Sequence, residues 1–340
     1  MKCKTVFSII IFFAFVGSKG QSLPNITYQD YGFKKQVTHV EQVFYSFEGD
    51  SIEKVEKVIH RFNSDGKISA FENQSFLDDS WAKSKAVYKN NRLHQEIWEH
   101  SNPYLNRKYS YSYDNEHRII EQKIRFKDRS KSHVKFHYKN KLLYEIEANI
   151  DGTQSVTERY YSKKENLYKE IHRQKVPGEG DIITNYFYLE EREIISYVEP
   201  KSYFYATAYL KDAMGNEACE IKFKLIEDST VQDKLMKGIQ RFEEEAPTDN
   251  LPFGLKQYSD QTLQAYLKNK DEIIPFYMKL FLRDEHNNIV AEAEVDVKTK
   301  TIVGVGFFKI EYADGKITGT TDFRHKKLHI FEALLQQYLP

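Results

Sequence analysis

The chain has almost no cysteine. Two occur in 340 residues, Cys3 and Cys219. Cys3 belongs to a leader-like start, so beyond it only Cys219 remains and no intramolecular disulfide can form. Burial and backbone hydrogen bonds must hold the fold instead. Cys219 stands in the strand-like run EACEIKFKL, with no histidine or helix start beside it. It reads as a buried small apolar residue and not as a reactive thiol. Long apolar runs are also missing. After residue 20 no stretch approaches the ~20 residues that a membrane-spanning helix needs. Net charge is missing as well, with 50 Lys and Arg against 50 Asp and Glu. Residues 21–340 carry 47 basic and 50 acidic groups, a net of −3. Together with export, that balance argues against nucleic acid as a partner, although aromatic and basic residues interleave at Arg107-Lys108-Tyr109-Ser110-Tyr111.

Catalytic constellations are equally scarce. Ser80-Trp81-Ala82-Lys83 fits Ser-x-x-Lys but has no companion Ser-Asp-Asn or Lys-Thr-Gly. Gly304-Val305-Gly306 is half of a dinucleotide fingerprint, lacks the third glycine and sits between strands, where glycine more often marks a bulge. His325 and His329 are four apart on an expected helix, but no acid or cysteine supports them, and a metal site needs three or four ligands. The basic neighbours Arg324, Lys326 and Lys327 favour a solvated helix face. Acidic runs such as Asp78-Asp79 and Glu243-Glu244-Glu245 lie in loops, whereas a glycosidase needs two carboxylates across a cleft. No catalytic, cofactor-binding or metal-ligating residue is assigned, and no cofactor is expected. Asn25-Ile-Thr and Asn73-Gln-Ser are sequons that matter only in a eukaryotic host. Asp50-Ser-Ile and Asp228-Ser-Thr resemble bacterial O-glycan acceptors.

What is present begins with residues 1–20. Lys2 and Lys4 precede an apolar run from Val6 to Val16, and Ser18-Lys19-Gly20 places small residues ahead of a cut before Gln21. That is the layout of a secretory signal peptide. After it comes a recurring turn: an aromatic, a short polar run, then an aliphatic. It appears as FNSDGKI, YKNNRL, YDNEHRI, YKNKL, YSKKENL and YLEEREI. The leading aromatics Phe62, Tyr88, Tyr113, Tyr138, Tyr161 and Tyr188 are 26, 25, 25, 23 and 27 residues apart. So regular an interval means one supersecondary unit used repeatedly.

Period-two alternation on both sides identifies the unit as a β-hairpin. Tyr109, Tyr111 and Tyr113 share one face, and Ile120, Ile124 and Phe126 are expected to share one after the turn. Leu142, Tyr144, Ile146, Ala148 and Ile150 are grouped in the same way. Asp65-Gly66, Asn90-Asn91, Asp114-Asn115 and Asn140 tolerate the positive φ that tight turns require. Further hairpins are expected at 207–223, 278–297 and 307–323. Helices are expected at about 230–245, 260–270 and 324–339, the last with Leu328, Phe331, Leu335 and Tyr338 as its apolar stripe. The fold class is mainly β: an array of antiparallel hairpins in an extended or curled sheet, with about three helices in the C-terminal 140 residues. The expected division is a signal peptide (1–20), a hairpin array (21–200) and a mixed region (201–340), with the seam at Pro200.

The turns YDNEHRII, LRDEHNNIV and YADGKI resemble the YD-repeat units of Rhs-type proteins, with Tyr113-Asp114 and Arg118-Ile119 carrying the match. In layout the chain is similar to short, secreted YD-like proteins common in Bacteroidetes. The resemblance implies a secreted or envelope protein of hairpin architecture and brings no catalytic residues. The functional expectation is an exported, non-enzymatic binding or scaffolding protein whose sheet, or open sheet edge, meets an envelope protein or a polysaccharide. Strand addition is the mode expected of a protein partner. Trp81, Trp98, Tyr109, Tyr111 and Tyr113 form a candidate aromatic surface for stacking on sugars; the plainer reading is that they pack the sheet itself. Residues 101–175 carry 17 basic and 10 acidic groups, which suits an anionic partner or, more plainly, keeps exposed strands soluble. Two alternatives stay open: a glycan-directed hydrolase with its site in 201–340, and a toxin-associated or immunity protein.

Overall fold

The computed structural model describes residues 27–48, 51–128, 130–150, 152–161, 165, 167–176, 180–189, 192–199, 203–225, 237 and 273–338. Among the described residues the strands follow one another with little else between them. They are β1 (Val37–Glu48), β2 (Ser51–Phe62), β3 (Ile68–Ser75), β4 (Trp81–Lys89), β5 (Arg92–His100), β6 (Arg107–Tyr113), β7 (Ile119–Phe126), β8 (Lys131–Lys139), β9 (Leu142–Ile150) and β10 (Thr153–Tyr161). After them come β11 (Leu167–Val176), β12 (Gly180–Leu189), β13 (Arg192–Glu199), β14 (Tyr203–Lys211), β15 (Glu217–Leu225), β16 (Ile273–Arg283), β17 (Ile289–Asp296), β18 (Thr301–Tyr312) and β19 (Ile317–Gly319). Each pairs antiparallel with the next in sequence, and β1 also pairs with β18, Val40 opposite Ile310 and Phe44 opposite Gly306. Following the hydrogen bonds from β1 to β18 therefore leads back to β1. The sheet is curled, not extended. β13 pairs with β14 across the expected seam at Pro200, Ile195 opposite Ala206.

The recurring turn accounts for the curl. In eight hairpins the strand leaving the turn carries one extra residue: Ser69, His94, Ile120, Tyr144, Tyr168, Ile194, Ala218 and Val290. A bulge of this kind bends its strand and raises the local twist. Its placement is constant. The residue that leads the turn pairs with the one that follows it, as Tyr113 with Ile119 and Tyr138 with Leu143, and the bulge comes next. Two members leave the expected face groupings for this reason, while Tyr109, Tyr111 and Tyr113 share one face as expected. Ile120 and Tyr144 are the bulged residues and point outward, while Ile119 and Leu143 are buried.

Two turn chemistries alternate with these bulges. Asn90-Asn91 and Asn140-Lys141 both have positive φ, as two-residue hairpin loops require. The longer turns use a side-chain acceptor at their first residue. Asp114 Oδ1 accepts from the Arg118 amide at 2.9 Å, and Asp284 Oδ1 accepts from the amides of His286 and Asn288 at 2.9 Å. Asn63 and Asp212 do the same. The Asp of the Tyr-Asp dipeptide is therefore a turn-forming residue.

One face of the curled sheet is inward. On it Leu93, Ile119, Val134 and Leu143 are buried in one cluster with Tyr111 and Phe136. Phe62 and Ile68 join Val40, Ile310 and Tyr312 in a further cluster, closed by Tyr28, Tyr31 and Phe33 of the segment before β1. That segment also ties the hairpin ends together, through Lys34 to Asn288 at 2.8 Å and Lys35 to Asp314 at 2.6 Å. On the opposite, outward face a helix covers an apolar cluster. α1 (His325–Tyr338) lays Phe331 and Leu335 on Met278, Leu280, Ala291, Ala293 and Phe307. Cys219 is buried in the same cluster. Of the three expected helices, α1 is the one among the described residues, with the stripe read from the sequence. The segments expected at 230–245 and 260–270 lie outside the described residues, Lys237 excepted. No helix among the described residues is long and apolar enough to cross a membrane.

Candidate binding surface

The two faces differ in what they offer. On the inner face, the aromatics that lead the turns are joined in series. Tyr88 donates its hydroxyl to the Ile68 carbonyl at 2.7 Å, Tyr113 to that of Leu93 at 2.6 Å, and Tyr161 to that of Leu143 at 2.7 Å. Each hairpin is thus tied to the turn of the one before it. Tyr138 holds the equivalent position, but among the described residues its hydroxyl has no hydrogen-bond partner, and the Arg118 guanidinium lies 4.7 Å from its ring centre. Phe62 leads the first turn and carries no hydroxyl to donate. The interval read from the sequence is the pitch of this ladder.

The sequence-derived aromatic surface divides between the faces. Trp98, Tyr109, Tyr111 and Tyr113 lie on the inner face, where Trp98 is 6 % and Tyr111 9 % exposed. Trp81 lies on the outer face and is 36 % exposed, with the Lys83 ammonium 5.6 Å from its ring centre. The inner aromatics enclose polar groups. Tyr111 donates to Glu96 at 3.2 Å and accepts from Gln122 at 3.1 Å. Arg107 stacks on Trp98 and Tyr109, 5.5 and 5.6 Å from their ring centres. Burial pushes the Glu96 carboxyl above its usual range, and hydrogen bonds from Tyr111, Ser84 and Trp98 oppose it. Burial also lowers His60 to about 4, against the rings of Tyr31 and Phe71. These residues pack and hydrogen-bond the sheet's interior.

A second inner-face group was invisible in the sequence, because its members are brought together only by strand register. Lys279 sits 3.2 Å from Glu292 and 3.5 Å from Glu294. Burial works against its ammonium, but Glu292, Tyr277 and Glu294 hold it charged. The two carboxylates that glycan hydrolysis would need are here bound to one cation. The helix-side recess, about 470 Å³ between α1 and the β17–β18 turn, is lined by Phe47, Lys300, Ile302, Leu328, Glu332 and Gln336 and pairs no two acids.

The remaining motifs resolve simply. Gly304 and Gly306 lie within β18, where Cβ atoms would stand 3.1 Å from the Tyr45 carbonyl and 2.9 Å from the Phe44 ring; the nearby bulge is at Val303. Ser80 lies in a turn and donates to Asp78 at 2.7 Å. His325 and His329 are exposed, and His329 pairs with Glu332 at 2.9 Å. Asn73 is turned inward and donates to Glu56 at 2.6 Å. Asn25 lies outside the described residues. Among the described residues one group could ligate a metal: His137, Glu145 and Glu147 on the outer face, with ligand atoms within 4.8 Å of one another. With three ligands it falls short of a closed structural site, and His137 already pairs with both carboxylates, at 3.9 and 3.5 Å.

No protein-family profile matches the chain, and no curated protein does. Among solved structures, a porin-like protein from Bacteroides uniformis matches with a TM-score of 0.40 and 11 % identity, over 57 % of this chain and 91 % of that one. A chain of the TcdB2–TccC3–Cdc42 complex matches with a TM-score of 0.29 and 10 % identity, over 81 % of this chain. The match takes in 14 % of that chain's length.

Proposed function

We propose that this is an exported, non-enzymatic binding or scaffolding protein of a bacterial envelope, of the YD-repeat kind its turns resemble, and that the outer face of the hairpin sheet is its contact surface. The observation that carries the proposal is the division of labour between faces. Inner-face aromatics and acids are occupied in packing, in the hydroxyl ladder and in buried ion pairs. Strands β1 to β18 each have a hydrogen-bonded neighbour on both sides, which leaves strand addition little purchase. What remains for a partner is the outward face of β4 to β9, which no described helix covers. Export rests on the leader-like residues 1–20, and the turn-forming Asp114 and Asp284 support the YD-repeat likeness.

The test is capture. The folded protein, immobilised, is exposed to envelope extract and, separately, to a glycan array. Retention of a specific partner, with no turnover of the glycans bound, is the expected result. An empty array together with an empty capture by folded protein contradicts the proposal.

A further inference from the structure

We infer that the outer face of β4 to β8 is a binding strip for a linear, carboxylate-bearing polysaccharide. The inference rests on the envelope-binding reading above and names its site and ligand class. The strip is a single cross-strand row: Lys85 faces Ile97, Ile97 faces Lys108, Lys108 faces Arg125, and Arg125 faces Lys131. All five side chains are exposed. Adjacent strands are about 4.8 Å apart, so the row extends about 19 Å across five strands.

The row is costly to the fold. Like charges directly opposite one another on a sheet repel, and Arg125 has a cation opposite it on both sides. Among the described residues, none of Lys85, Lys108, Arg125 and Lys131 has a hydrogen-bond or ion-pair partner for its side chain. Arg61 and Arg173, by contrast, are matched across strands by Glu72 and Glu158. Edge protection does not explain the row, because β4 to β8 are interior strands paired on both sides. A repulsive row retained on a rigid, solvent-facing surface suits a ligand that supplies the missing anions.

The geometry selects the ligand's form. Cations set one or two strands apart along a single cross-strand row match carboxylates carried at intervals along an extended chain, and a diffuse anionic surface would not need the row. Ile97, 39 % exposed, interrupts the cations within the row, and Trp81 stands exposed one strand end away. Both offer apolar surface at the level of the charges, as the C–H faces of sugar rings require.

The experiment measures binding of the intact protein to polygalacturonate, with neutral dextran and with phosphatidylglycerol–phosphatidylcholine vesicles as the other arms. Polygalacturonate binding that weakens as salt rises, with dextran inert, is expected. The double variant Lys108→Gln/Arg125→Gln is expected to lose about tenfold in affinity while melting no lower than the parent, because it removes repulsion. No binding to polygalacturonate, equal binding by the variant, or preference for the vesicles would each overturn the inference. Envelope capture by the same double variant separates the two proposals. Retained capture with lost polygalacturonate binding leaves both standing on different surfaces; retained capture with no polygalacturonate binding by the parent removes the strip alone.

Discussion

Tyr113 and Tyr138 occupy equivalent positions in successive hairpins, yet one hydroxyl is bonded and the other is not. Tyr113 reaches the Leu93 carbonyl; Tyr138 reaches no partner among the described residues. Replacing Tyr113 with Phe should cost about 1 kcal/mol, the net worth of one hydrogen bond. The Tyr138→Phe change should cost close to nothing. Urea unfolding of the two variants checks the difference, and equal losses would contradict the ladder. The aromatic interval was legible in the sequence. The hydroxyl's target was not, because it lies about 20 residues upstream and is a backbone atom, which leaves no side-chain signature. His60 gives a pH prediction at the same scale. A histidine whose folded-state pKa is lowered binds its proton less readily when folded. Its effect on stability is therefore nil above pH 6.5 and grows unfavourable as pH falls from there toward about 4. The His60→Leu variant should show a shallower loss of stability over that window, with His100 and His172, also lowered by burial, and carboxylates held below their usual range, such as Glu72 and Asp284, contributing to the loss that persists. Identical pH profiles would show that His60 titrates normally.

At the scale of the element, the bulge after each turn decides which side chains face inward. Strict alternation places Ile120 with Ile124, but the extra residue puts Ile119 inside and Ile120 out. Deleting Ile120 removes the bulge but keeps Ile119 inside, Glu121 outside and Gln122 inside, so what is lost is the local bend and twist of β7. The deletion is expected to lower stability by more than about 1 kcal/mol through that lost curvature, whereas Ile120→Thr, at an exposed site, should shift stability by less than about 0.5 kcal/mol. Thermal melts of both variants make the comparison. Bulges of this type evade sequence reading because nothing distinguishes Ile120 from Ile119 chemically; their roles are set by register across the turn. α1 was legible for the opposite reason. Its stripe of Leu328, Phe331, Leu335 and Tyr338 follows from local periodicity alone.

At the scale of the whole molecule, hairpins and turns could be read one at a time, but their sum could not. The pairing of β1 with β18 joins Val40 to Ile310, residues 270 positions apart with no mutual signature in the sequence. It also removes the open edge on which strand addition would depend and leaves the outer face as the surface to meet a partner. The row from Lys85 to Lys131 shows the same limit, since its members lie on five strands and align only through register. The pairing of first and last hairpins is therefore the claim on which fold and function both turn. Hydrogen exchange of the intact protein, resolved by residue, tests it directly. Amides of β1 and β18 are expected to exchange as slowly as those of interior strands such as β7 and β8, in both directions of pairing. Fast exchange of the β1 amides that face β18, with those facing β2 still protected, would mean an open edge and would contradict the curled sheet.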